Sequence, residues 1–145
     1  MSEPAWSCQC SVEVNVPLRF AWAFLTNVAN WVDPPAEFEL DGPFAPGTRG
    51  TTRMPGQPAR SWIITDVEPE SLFTTEMLLA EGASFIAIRW LNALPDSRTM
   101  RTQRLVLVGE NAATYVYGCR TGFEPTLEPG MKRIAERMSE ARMRE

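Results

Sequence analysis

Between residues 111 and 144 the apolar side chains recur at helical spacing. At about 100° per residue, Val116, Phe123, Leu127, Met131, Ile134 and Met138 fall within roughly 80° of arc. Ala112, Cys119 and Ala141 lie on or beside the same stripe, and Lys132, Arg133, Glu136 and Glu140 lie opposite it. A long helix with one apolar stripe has to lay that stripe on a core, which constrains what the rest of the chain can be. The segment carries its own breakers. Pro125 and Pro129 each cost about 3 kcal/mol inside a helix, and Gly118, Gly122 and Gly130 about 1 kcal/mol each. Both prolines fall on the outer face, where the carbonyls they free can reach water. A competing assignment makes 114–118 (Thr-Tyr-Val-Tyr-Gly) an eighth strand, because β-branched and aromatic residues favour sheets, and leaves the helix only 129–144. The long helix is preferred. In either case a break is expected near 125–130, where it would act as a hinge.

A chain of 145 residues, 44% hydrophobic and with five tryptophans, corresponds to a single domain over 1–145. At that size about 70% of the unfolded surface is buried. No apolar run approaches the ~20 residues of a membrane span. The N-terminal Met-Ser-Glu-Pro lacks the charged and apolar regions of a signal peptide, so the expected location is cytoplasmic. A net charge of −4 argues against a nucleic-acid partner. Arg98, Arg101 and Arg104 are the nearest thing to a basic cluster, and strand spacing scatters them over two faces.

The chain has no histidine, which removes Ser-His-Asp and Cys-His arrangements. Any acid or base is a carboxylate, a tyrosine, a cysteine or the single lysine, Lys132. Cys8 and Cys10 alternate on one strand and do not suit a disulfide. Without histidine or a Cys-x-x-Cys no familiar zinc spacing exists, so the three cysteines read as reduced thiols and no metal or cofactor is implied.

Residues 8–16 alternate apolar and polar, with Cys8, Cys10, Val12, Val14 and Val16 pointing inward. Pro17 closes the strand and opens a short helix, 18–26. Asn27 can cap a second one through Val28 and Trp31, which Asp33-Pro-Pro ends. This tryptophan-rich pair is read as a plug for one end of a sheet. From Glu37 the chain is a meander of strands at 37–40, 48–54, 59–67, 72–79, 83–94 and 99–108, joined by turn-forming clusters. Gly109-Glu-Asn111 then offers an N-cap to the long helix.

Val14-Asn-Val-Pro17, Trp22-Ala-Phe-Leu-Thr-Asn-Val-Ala-Asn-Trp31, Leu40-Asp-Gly-Pro-Phe-Ala-Pro-Gly-Thr48 and Trp62-Ile-Ile-Thr-Asp-Val-Glu-Pro69 follow one another in that order. With it the chain resembles the START-like (SRPBCC) superfamily of polyketide cyclase/dehydrase and lipid-transport proteins. The resemblance implies an α+β helix-grip (START/Bet v 1-like) fold. Its seven-stranded curved antiparallel sheet would surround a long C-terminal helix, with two short helices after strand 1. It also implies a hydrophobic cavity between sheet and helix, but it does not carry an activity.

Strand parity offers Phe85, Ala87, Arg89 and Leu91 on one face of 83–94, and Ile86, Ile88, Trp90 and Asn92 on the other. Both are largely apolar, and the resemblance favours the first set inward. The next hairpin then brings Arg101, Gln103, Leu105 and Leu107 to the same side. Arg89, Arg101 and Gln103 would thereby form a polar group in an apolar cavity. A buried guanidinium requires a carboxylate or an anionic ligand. The electrostatically cheaper arrangement, preferred here, is a tilt or bulge that leaves these arginines in solvent or paired on the rim. Trp62, Ile64, Phe73, Thr75 and Met77 are further lining candidates, faced by Val116, Phe123, Leu127 and Met131 from the helix. Gly50 would leave room beneath its strand.

The leading functional expectation is a non-catalytic binder or carrier of a small hydrophobic or amphipathic molecule. A second is a cyclase/dehydrase-type enzyme, with Arg89 or Arg101 polarising a carbonyl and Tyr115, Tyr117 or Glu76 moving protons. A third is a co-chaperone-like interaction module that uses Ile88 and Trp90 on the outer sheet face, a surface that also leaves a homodimer open.

Overall fold

The computed structural model describes residues 3–145. Strand β1 (Trp6–Val14) leads into helix α1 (Leu18–Leu25) and a 3-10 turn (Val28–Asn30). Six strands follow: β2 (Glu37–Leu40), β3 (Arg49–Arg53), β4 (Arg60–Glu68), β5 (Leu72–Ala80), β6 (Ala83–Leu94) and β7 (Arg98–Val108). A second 3-10 turn (Ala112–Tyr115), helix α2 (Val116–Gly122) and helix α3 (Glu124–Met143) complete the chain.

The strands form one antiparallel sheet in the order β1-β7-β6-β5-β4-β3-β2. The first short helices carry the chain from β1 to the far edge. The hairpins then step back until β7 pairs with β1, Val12 opposite Arg101 and Cys10 opposite Gln103. Register shifts between Ile64 and Asp66 and between Leu78 and Ala80 interrupt the β4–β5 and β5–β6 ladders. Such bulges increase local twist, and the sheet curves around the helices.

The C-terminal third is helical, and 114–118 is not a strand. The apolar stripe does face the sheet: Cys119, Leu127, Met131 and Met138 are buried, while Pro125, Pro129, Lys132, Arg133, Glu136 and Glu140 are exposed. The expected break at 125–130 is corrected. The helical run is divided at Phe123, which keeps its N–H bond to the Cys119 carbonyl (2.9 Å), and α3 runs without interruption through 125–130. Pro125 falls in the first turn of α3, where a backbone donor has no intrahelical partner to lose, so it starts the helix rather than bending it. Asn111 does not cap the helix either. Its Nδ2 donates to the Glu81 carbonyl (3.1 Å) and its backbone N–H to the Gly82 carbonyl (2.8 Å). That ties the start of the helical segment to the β5–β6 turn. Gly109 permits the approach: with φ +124° it sits where a Cβ would lie 2.1 Å from the Gly82 carbonyl oxygen.

Two apolar clusters make the core. One gathers Trp6, Phe85, Leu105, Leu107, Cys119, Leu127 and Met131; the other gathers Val14, Val16, Phe24, Leu25, Phe73, Leu91 and Met138. Helix α3 contributes to both. The space under Gly50 is not empty: a Cβ there would lie 2.2 Å from the Trp62 ring. Trp62 stacks on Trp31 at 5.5 Å, and its Nε1–H donates to Thr52 Oγ1 at 3.0 Å. Asn27 caps the first 3-10 turn as expected, Oδ1 accepting from the Ala29 N–H at 3.1 Å. On the outer sheet face Ile86, Ile88 and Trp90 are half-buried.

Candidate functional site

A cavity of about 340 Å³ lies between the sheet and α3. Its walls come from both apolar clusters: Phe85, Ala87, Leu105, Leu127 and Met131 from one, Leu25 and Phe73 from the other. Arg89, Arg101 and Gln103 belong to neither cluster and line the cavity between them. Phe123, which ends the α2 segment, is 38% exposed and tilts against Phe85 with ring centroids 4.6 Å apart. It lines the cavity where the helix axis breaks. Thr126 and Gly130 on α3, and Asp33 and Phe38 beyond the first 3-10 turn, complete this more open side.

Of the residues expected at the site, Phe73, Phe85, Arg89, Arg101, Gln103, Phe123, Leu127 and Met131 line the cavity. Trp62, Ile64 and Val116 do not. Trp62 is spent on Gly50 and Trp31, which stands between it and the cavity wall at Phe73. Ile64 is fully buried, its backbone N–H bonded to the Thr48 carbonyl at 3.0 Å. Val116 packs on the cluster around Trp6 and Cys119, about two turns before Phe123. Trp31 and Asp33, read as part of a plug and its end, and Phe38, read on the strand 37–40 but not as a wall, also line the cavity. Trp31 fills both roles, stacking on Phe73 and Trp62 while facing the cavity. Its place after an Asn-capped turn gave no periodic signal for that.

The rim placement of the arginines is corrected. Arg101 is 5% exposed, and its register partner on β6 is Leu91. Arg89 pairs across with Gln103 on β7 and with Phe73 on β5. No bulge intervenes in the β6–β7 ladder, so parity carries both side chains inward. Arg89 Nη1 donates to Thr75 Oγ1 (3.0 Å), and its Cζ lies 5.0 Å from the Phe73 ring centre and 5.7 Å from that of Trp31. Arg101 Nη2 donates to Gln103 Oε1 (3.1 Å), whereas its Nε and Nη1 have no acceptor.

Among the described residues no carboxylate lies within 4.0 Å of either guanidinium. Asp33 lines the cavity but is held by Arg133 of α3 at 3.3 Å. Burial pulls Arg89 down from the ordinary arginine range to about 9, with the Arg101 charge pushing the same way, and burial pulls Arg101 down to about 10. Both groups stay protonated at neutral pH. The cavity therefore holds two desolvated positive charges and no compensating anion from the protein.

The side chains proposed to move protons are not beside these arginines. Glu76 lies opposite Ile63 and Ile86, on the outward parity of the sheet, and Tyr117 is 78% exposed. Tyr115 packs on the Trp6 cluster. The thiols of Cys8, Cys10 and Cys119 are all pushed up, chiefly by burial, which leaves little thiolate at neutral pH.

No protein-family model matches the chain, and no curated protein matches it. Solved structures do. Norcoclaurine synthase of Thalictrum flavum, a point mutant with a transition-state analogue, superposes with a TM-score of 0.74 at 14% identity, covering 94% of this chain and 96% of that one. A Nitrosomonas europaea protein gives 0.71 at 15% identity over 94% and 96% of the two chains. Ara h 8.0201 gives 0.64 at 13% identity over 97% and 99%. By topology and by these likenesses, the chain has the helix-grip (Bet v 1-like) fold.

Proposed function

We propose that the chain binds or carries a small hydrophobic or amphipathic molecule between the sheet and α3. The observation that carries this is the cavity of about 340 Å³, a size within the range of small-molecule sites and lined mainly by aromatic, leucine and methionine side chains. Phe73, Phe85, Phe123, Leu127 and Met131 would contact the apolar body of the ligand, and the break at Phe123 would let it enter. Norcoclaurine synthase of the same fold has been solved with dopamine and hydroxybenzaldehyde, which supports enclosure of small aromatic molecules by this architecture. The binder reading is preferred to a cyclase or dehydrase because none of the proposed proton carriers hydrogen-bonds to Arg89 or Arg101. Three free thiols support a reducing, cytoplasmic setting.

Two measurements test this reading. Native mass spectrometry of the purified protein, with extraction of retained small molecules, is expected to show an adduct. Titration with the neutral fluorophore N-phenyl-1-naphthylamine is expected to show saturable enhancement. A clean apo mass from several expression hosts together with no enhancement would sink the proposal.

A further inference from the structure

We propose that Arg89, Arg101 and Gln103 form an oxyanion-binding floor, so that the ligand is a small organic acid whose apolar body lies against the phenylalanines. The inference rests on the cavity being a ligand site, and it adds the chemistry of the group that anchors the ligand. Two guanidinium groups lie on the same face of the adjacent strands β6 and β7, with Gln103 opposite one and two residues from the other. Arg101 is 5% exposed and leaves two of its three nitrogens without an acceptor. A buried donor on a charged group is costly when unmet, more so than for a neutral group. The nearest carboxylate on the cavity wall, Asp33, is already paired with Arg133. The chain supplies no acceptor for these two nitrogens, and a small turn of the flexible Arg101 side chain would present them to an anion in the cavity.

The geometry also limits how that anion binds. Arg89 lies against Phe73 and Trp31, whose ring centres are only 6.3 Å apart, so both rings bound it from one side. Its edge remains for an in-plane charge-assisted hydrogen bond, the mode in which guanidinium holds carboxylate, sulfonate or phosphate. The cavity of 340 Å³ equals roughly eleven waters at about 30 Å³ each. That is room for one anionic group on a body of up to three rings.

The test compares two probes of one shape, 8-anilinonaphthalene-1-sulfonate and the neutral N-phenyl-1-naphthylamine, on wild type, Arg101→Met and Arg89→Met. Wild type should bind the sulfonate tighter by about tenfold or more, the effect expected of a charge-assisted bond in a buried site. Arg101→Met should lose that preference while still binding the neutral probe saturably, which also reports that the variant has folded. A preference that is absent in wild type, or unchanged in both variants, overturns the oxyanion floor and leaves the apolar cavity standing. Failure of both probes to bind overturns the cavity reading and this inference with it. Competition against the bound sulfonate probe distinguishes the source of the anion. 1-Naphthoate should displace it at lower concentration than inorganic phosphate; the reverse order would make this a phosphate site and refute the organic-acid assignment.

Discussion

Replacing Arg101 by methionine should make the ligand-free protein more stable, contrary to the usual effect of a core substitution. Burial lowers the pKa of this guanidinium from the ordinary arginine range to about 10. Each pH unit corresponds to about 1.4 kcal/mol, so keeping the group charged at neutral pH opposes folding by about 3 kcal/mol. Methionine removes that term and fills much of the same space with a flexible apolar chain. It also loses the bond from Nη2 to Gln103 Oε1, which contributes about 1 kcal/mol. The balance is a gain of about 2 kcal/mol, within the range seen when buried charges are replaced by hydrophobic residues. For a domain of this size that raises Tm by about 4–8 °C. The assay is urea and thermal unfolding of both proteins after hydrophobic-resin treatment to strip any bound acid. A destabilisation of about 1 kcal/mol or more would mean that Arg101 finds a partner within the chain, and the reasoning would fail. Without stripping, the sign should shift toward wild type, because a retained anion stabilises only the chain that can hold it.

The pH dependence follows with a definite sign. Below about pH 9 both arginines are protonated in folded and unfolded chains, so the stability gap between wild type and Arg101→Met should stay flat. Above about 9 to 10 the folded chain binds fewer protons than the unfolded one, so rising pH favours folding of wild type and the gap should narrow. Urea midpoints at about pH 7 and about pH 10.5 check this, and a widening gap would refute it. Gly50→Ala should destabilise by about 1–3 kcal/mol, because its Cβ would enter the Trp62 ring, which can yield only by pushing on Trp31. Neutral behaviour in the same unfolding assay would show that the ring has free space to move.

The seven strands and their hairpin order were legible in the sequence, whereas the inward face of β6 and β7 came from the family resemblance because both faces are largely apolar. Period-2 alternation and turn clusters are local signals that burial of one sheet face enforces. The apolar stripe from Cys119 to Met138 was legible for the same reason at helical period. The break was placed at the prolines because propensity counts them as breakers wherever they fall. Its position at Phe123 follows from Pro125 being in the first turn of α3, where a proline loses no hydrogen bond. Asn111 was misassigned because its nearest carbonyl belongs to the β5–β6 turn, thirty residues earlier in the chain.

The site divides in the same way. Parity alone put Phe73, Phe85, Arg89, Arg101 and Gln103 on one face, but parity does not say whether a side chain faces a filled core or an open cavity. Trp62 and Ile64 share the inward face and are consumed by packing, whereas Trp31 arrives from a short turn that no pattern marks as a wall. The sequence by itself determined which residues could meet: alternation and the helical stripe are properties of the backbone's own geometry. That two arginines meet in a cavity where no carboxylate pairs with them is set by the tertiary arrangement. Charge compensation depends on distances among β5, β6, β7 and α3, and Asp33 is drawn off by an arginine that lies one hundred residues further along the chain.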